Sequence, residues 1–156
     1  MKLMGRFIFC FLLFSACVKD NKTVFDEFKD LTGQTWHWND SKPFTFEIKD
    51  STYTYNLSCG LRISGAYKYS NIWLIYTLEG QQLATKNQFQ IQLSDNTGKW
   101  LGKGMSNLIS YEQVFMQNIK FKAGKYTLRF NQNMRDEKLA DVSDIGIKIY
   151  KVTKIY

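Results

Sequence analysis

The pattern that most limits the fold is an alternation of apolar and polar residues, which begins at Phe44 and recurs towards the C-terminus. It is clearest in residues 44–48, 53–63 and 89–93, where every second side chain is apolar. Successive side chains of a β-strand point to opposite faces, so a period of two predicts strands with one buried face. About eight such runs can be counted, and no long segment has a convincing helical period.

Strand runs at this spacing predict an all-β domain, a sandwich of two packed antiparallel sheets. Long polar stretches such as 131–144 favour a jelly-roll or Greek-key order over a simple meander. Residues 72–78 are apolar at nearly every position, which predicts a central strand covered on both faces. We expect residues 106–113 to hold a short helical turn. Residues 114–121 and 126–130 are expected to pair as a hairpin.

The N-terminus has the features of an export signal. Lys2 and Arg6 precede an apolar run, residues 7–14, and small residues follow it. As a helix this run is about 12 Å long, which is too short to cross a hydrocarbon core of about 30 Å. We expect residues 1–16 to be removed as a signal peptide. The remainder would be a tether at 17–22 and a single β-sandwich domain at 23–156.

Cys17 stands at the boundary where this signal would be cut. Its position resembles the lipobox of bacterial lipoproteins, in which the thiol is acylated and becomes the first residue of the mature chain. Phe14 departs from that pattern, because leucine is usual three residues before the cysteine. The alternative is a plain secretory signal cut near Ala16. Cys59 lies among alternating apolar residues and is predicted to be a small buried side chain, not a nucleophile.

The positive charge is spread along the chain. The net charge is +7, and removal of Lys2 and Arg6 with the signal leaves about +5, because residues 1–16 contain no acid. Scattered lysines are typical of a solvated surface and lack the concentrated stripe of a nucleic-acid site. Anionic headgroups or acidic glycans remain possible ligands, but no nucleic-acid partner is expected.

Two aromatic features are candidate binding sites. Trp36 and Trp38 lie two residues apart, on one face of a predicted strand, and could form a platform for a ligand. Residues 98–104 hold three glycines, which indicate a sharply bent loop. Its Lys99, Trp100, Leu101 and Lys103 have the character of a docking loop, since exposed aromatics with cations anchor many interfaces.

Catalytic and metal motifs are weak in this sequence. GKWLGKG has neither the spacing nor the hydroxyl residue of a phosphate-binding loop. His37 has no accompanying nucleophile motif, and we interpret it as a packed or surface residue. The acids of residues 136–144 lack calcium-loop spacing. The sequence therefore predicts no enzyme, no cofactor and no metal site.

Several segments taken in order resemble the gliding-motility lipoprotein GldH family of the Bacteroidota. They are VFDEFKDL, TWHW, SNIWLIYTLEG, DNTGKWLGKG, YTLRFNQNMR and DIGIKIYK, and they follow the lipobox. Residues 97–104 are the most specific of these matches. The resemblance implies an exported, lipid-anchored, non-enzymatic protein needed for gliding and associated with the type IX secretion apparatus. It implies no catalytic residues.

Taken together, these observations predict an envelope lipoprotein that docks other gliding or secretion proteins of the envelope. The alternative is a glycan-binding β-sandwich module, in which aromatic side chains would stack on sugar rings. Residues 18–22 lack the dense acidic run that resembles a surface-export signal in this phylum. We therefore expect the domain to lie on the periplasmic face of the outer membrane.

Overall fold

The computed structural model describes residues 22–105 and 107–155, which form eleven strands and one 3₁₀ turn, Thr32–Gln34. The strands are β1 (Thr23–Asp30), β2 (Thr35–His37), β3 (Lys42–Ile48), β4 (Tyr53–Ser64), β5 (Asn71–Gly80), β6 (Leu83–Gln92), β7 (Lys103–Met105), β8 (Leu108–Lys120), β9 (Gly124–Gln132), β10 (Lys138–Ala140) and β11 (Val142–Lys154). The predicted signal peptide, Cys17 and all but the last residue of the predicted tether lie outside these described residues.

The strands form two main antiparallel sheets. Sheet I has the order β1-β11-β4-β8-β7, and sheet II has the order β3-β9-β5-β6. The short strands β2 and β10 pair separately. When the eight strands of seven or more residues are numbered along the chain, sheet I reads 1-8-3-6 and sheet II reads 2-7-4-5. This is the jelly-roll order, so the predicted all-β fold class is confirmed.

The core lies between the two sheets and follows from the period of two. In β4 the inward residues Leu57, Cys59, Leu61 and Ile63 are all fully buried. Sheet II contributes the inward aromatic rings of β3 and β9, including Phe44 and Phe130, whose centroids lie 6.0 Å apart. The predicted burial of Cys59 is confirmed. The strands β3, β4 and β9 thus place their apolar faces against the opposite sheet.

One expectation about β5 is wrong. Residues 72–78 were predicted to be covered on both faces, but burial alternates along β5. Trp73 and Ile75 lie on the outer face of sheet II, and Trp73 is 37% exposed. The strand is central because β9 and β6 flank it edge to edge. Its outer face is open to solvent.

The predicted pairing of β8 with β9 is also wrong. β9 pairs with β3 and β5 in sheet II, whereas β8 pairs with β4 and β7 in sheet I. The chain therefore crosses between sheets near Gly124. Two strands with one apolar face each have the same alternation whether they pair or face each other. The helical turn expected within 106–113 is wrong as well, because β8 begins at Leu108.

Candidate functional site

A cleft of about 510 Å³ lies over the outer face of sheet I and beside the loop that precedes β7. We call it the sheet I cleft. Its floor includes Gly60, and Gly146 is the register partner of that residue on β11. The ring of Phe28, from β1, lies against both glycines, where an added Cβ would collide with it. Glycine at these two positions makes room for the aromatic ring on an otherwise flat sheet face.

Charged side chains surround this ring. The Arg62 guanidinium lies 4.1 Å from the Phe28 centroid, and its Nη1 lies 3.9 Å from Oδ1 of Asp144. Burial and the neighbouring Asp30 raise the pKa of Asp144, while Arg62 opposes that shift. Residues Lys103, Glu112 and Lys148 complete a rim of mixed charge.

The predicted docking loop forms one wall of this cleft. It begins at a turn in which Oδ1 of Asp95 accepts hydrogen bonds from the backbone amides of Thr97 and Lys99, at 2.9 and 3.0 Å. The hydrogen bond from the Thr97 hydroxyl and these two backbone bonds hold the pKa of Asp95 below its ordinary value. Leu101 is 55% exposed and lines the cleft with Lys103.

The other two residues predicted for this loop lie differently. Lys99 is exposed but does not line the cleft. Trp100 is partly buried and packs against the core, where it helps to hold the loop in place. The sequence therefore identified the loop, while Phe28, Arg62 and Glu112 were missed. Their separation along the chain gives no local signal that β1, β4 and β8 meet in one sheet.

A partly unpaired strand edge borders the cleft. β7 pairs with β8 over three residues, Leu108–Ser110. Within the described part of the chain, residues 111–120 of β8 have no strand partner on that side. An exposed edge presents backbone donors and acceptors to which an extended peptide can add.

Trp36 and Trp38 do not form the predicted platform, because only Trp38 is exposed. Trp36 is fully buried, and its indole N–H donates to the Asp40 carbonyl at 2.8 Å. β2 ends at His37, so the period of two does not continue to Trp38. Trp38 is 56% exposed and lines a second cleft, over sheet II.

The two remaining sequence candidates, Cys59 and His37, lie in different environments. Cys59 is fully buried, and burial raises the pKa of its thiol. His37 is exposed at the end of β2. Among residues 22–105 and 107–155, no three His, Cys, Asp or Glu side chains are grouped as a metal site. No helix within those residues is long and apolar enough to cross a membrane.

Comparisons with known proteins define the family. Residues 23–149 match the model of the GldH lipoprotein family, and the chain belongs to that family. A gliding motility lipoprotein GldH from Flavobacterium johnsoniae is 32% identical over 146 residues, which cover 88% of this chain and 89% of that protein. A GldH homolog from Christiangramia forsetii is 30% identical over 154 residues, 93% of each chain.

Membership in a lipoprotein family indicates that this protein is lipid-anchored and associated with a membrane of the cell envelope. Among solved structures, the VP2 subviral particle of infectious bursal disease virus is similar, and the match covers 83% of this chain and 33% of the VP2 chain. The sequence identity is 11% and the TM-score is 0.37, a likeness too low to inform function.

Proposed function

We propose that this protein is a non-enzymatic component of the gliding-motility and type IX secretion apparatus, and that it acts by docking other envelope proteins. The observation that carries this proposal is the sheet I cleft, in which exposed Leu101 and Lys103 lie beside a partly unpaired strand edge. The relatives are named gliding motility lipoproteins, which supports a role for this protein in gliding motility.

The cleft has the mixture of groups that protein interfaces use. Leu101 and Phe28 offer apolar anchors, while Arg62 and Glu112 offer charges of both signs. The free edge of β8 offers backbone hydrogen bonds to an extended segment of a partner. An aromatic ring held under a guanidinium is rigid, so little conformational entropy is lost when a partner contacts it.

The lipid anchor would bring the domain to its partners. Acylation of Cys17 with two or more chains gives stable attachment, whereas one chain is marginal. Confinement to a membrane raises the effective concentration of partners on the same membrane. Weak contacts at the cleft would then suffice. We place the domain at the periplasmic face of the outer membrane because residues 18–22 lack a dense acidic run.

The docking proposal is tested by crosslinking in cells. We expect Leu101→Asp to reduce the crosslinked neighbours of the full-length protein, because it places a charge in the apolar part of the cleft. The control is Val152→Asp, which places the same charge on a residue that is 42% exposed and lies near the far end of β11. Identical neighbours by mass spectrometry for wild type and Leu101→Asp would contradict docking through this cleft.

Removal of the anchor is a separate test. We expect Cys17→Ala to move the protein from the membrane fraction to the soluble fraction and to impair its function. The measurement is metabolic labelling with a fatty acid, followed by fractionation. Acyl label that persists in Cys17→Ala would show that the thiol is not the attachment site.

A further inference from the structure

The outer face of sheet II carries a group of side chains that docking through sheet I does not use. Trp73 projects from the middle of the sheet and is 37% exposed, and Trp38 lies beyond the end of β2 and is 56% exposed. β9 contacts both segments, because it pairs with β5 and because Asn131 Nδ2 donates to the Trp38 carbonyl at 3.2 Å. Trp73 thus lies on the outer face of sheet II, and Trp38 lines the cleft over that same face.

Side-chain amides lie beside Trp73 on the outer face of sheet II. Gln90 is the register partner of Trp73, and Ile75 is the register partner of both Gln88 and Asn131. The backbone amide of Asn133 donates to the Trp73 carbonyl at 2.8 Å. Neighbouring strands lie about 5 Å apart, so these amides and the indole of Trp73 form one continuous surface.

Each of these amides is oriented by a hydrogen bond within the protein. Asn133 Nδ2 donates to Gln88 Oε1 at 2.9 Å, and Gln90 Nε2 donates to Gln92 Oε1 at 3.0 Å. In the described part of the chain, the side-chain oxygens of Asn131 (Oδ1), Asn133 (Oδ1) and Gln90 (Oε1) accept no hydrogen bond from protein. They are therefore fixed in orientation and available to a ligand.

The charged residues near this surface indicate which class of ligand it can bind. A cleft of about 550 Å³ is lined by Trp38, Ile75 and Asn131, and its charged residues are Lys86 and Arg135 against Asp136 and Glu137. Two cations and two anions leave no net charge, which does not favour a polyanion. The volume is within the range of about 300–1,000 Å³ that small-molecule sites occupy.

From these observations we propose that the outer face of sheet II binds a neutral oligosaccharide. Sugar hydroxyl groups both donate and accept hydrogen bonds, as side-chain amides do. The C–H faces of a pyranose ring are apolar and flat, so they pack on an exposed indole. Trp73 and Trp38 would stack on sugar rings, while Asn131, Gln88 and Gln90 would bind hydroxyl groups. This function is distinct from docking at the sheet I cleft.

The test uses the full-length protein in detergent on an array of neutral hexose, pentose and N-acetylhexosamine oligosaccharides, with acidic polysaccharides on the same array. We expect saturable binding to at least one neutral glycan. Trp73→Ala and Trp38→Ala should each weaken that binding about tenfold, which corresponds to the loss of a stacking contact of about 1.4 kcal/mol. Trp38→Phe should retain most of it, because the ring face is kept.

The matched control is Leu101→Ala on the opposite sheet, which should leave sugar binding unchanged. The proposal is overturned if no neutral glycan binds, if both tryptophan variants bind as well as wild type, or if only acidic polysaccharides bind. Crosslinked neighbours that are lost in Leu101→Asp and kept in Trp73→Ala would separate this face from the docking cleft.

Discussion

The outer faces of the two sheets both belong to antiparallel strands, but their surface chemistry differs. On sheet I, Gly60 and Gly146 leave a recess filled by Phe28, and charged residues surround it. On sheet II, Trp73 is exposed beside side-chain amides, and the two cations and two anions of the nearby cleft cancel. A jelly roll fixes the inner faces through core packing and leaves the outer faces free to differ.

This difference also separates structural roles from binding roles. Phe28 is held by two glycines and by Arg62, so its ring contributes to stability as well as to a surface. Trp38 is mostly solvated, so its removal costs little packing. Substitutions on sheet I should therefore change folding more than comparable substitutions on sheet II.

The largest effect on stability is expected from Gly146→Val. An added Cβ would lie 2.7 Å from Cδ1 of Phe28 and 2.9 Å from the backbone oxygen of Glu27, so the ring and the adjacent strand would both have to move. We expect the free energy of unfolding to fall by about 1–3 kcal/mol in urea. Ala84→Val, on exposed β6 of sheet II, should change it by less than about 0.5 kcal/mol. Equal losses would contradict the contrast between the faces.

A smaller effect is expected from truncating the two outward aromatic rings. Phe28→Ala removes contacts with Gly60, Gly146 and the Arg62 guanidinium, and should cost about 1–2 kcal/mol. Trp38→Ala should cost less than about 0.5 kcal/mol, because Trp38 is 56% exposed. Thermal unfolding of both variants measures the difference. A larger loss in Trp38→Ala would show that the sheet II aromatic is structural.

Two carboxyl groups, Asp144 and Asp136, should change the stability with pH in opposite directions. Burial raises the pKa of Asp144, so the native state binds its proton more tightly than the unfolded chain does. The free energy of unfolding should therefore fall as pH rises from the ordinary value of 3.8 through the raised native pKa. Asp144→Asn should remove this fall, as measured by urea unfolding across that range.

Asp136, beside the sheet II cleft, provides the comparison. Lys68 and Tyr69 hold the pKa of Asp136 below its ordinary value of 3.8. Its stabilising contribution should be present above that value and lost as pH falls through the lowered native pKa. Asp136→Asn should weaken the acid sensitivity, whereas Asp144→Asn should not. The same response in both variants would contradict these assignments.

The smallest effect on stability is expected from Asp95→Ala in the docking loop. This variant removes the carboxylate that accepts hydrogen bonds from the amides of Thr97 and Lys99. We expect faster hydrogen exchange at those two amides with little change in the unfolding transition. Asn96→Ala, at an exposed neighbouring position, is the control. Unchanged exchange in Asp95→Ala would show that the loop is held by other contacts, such as Trp100.

The sequence predicted the strands better than their partners. The alternation in residues 53–63 corresponds to β4, and the order of the eight long strands is the predicted jelly roll. Pairing of 114–121 with 126–130 was predicted wrongly, because alternation does not distinguish a neighbour in one sheet from a partner across the core. The bent loop before β7 was predicted from its glycines and its docking role stays a prediction, while Trp36 and Trp73 were assigned to the wrong environments.

By itself, the sequence determined the export signal pattern, the all-β class, the burial of Cys59 and the family resemblance, because each is carried by residues close together in the chain. Tertiary structure alone decided that Phe28, Arg62 and Leu101 share one cleft and that Trp38 and Trp73 share another face. The physical reason is that sheet neighbours are chosen by long-range packing. A period of two defines the two faces of a strand and carries no information about which strand lies beside it.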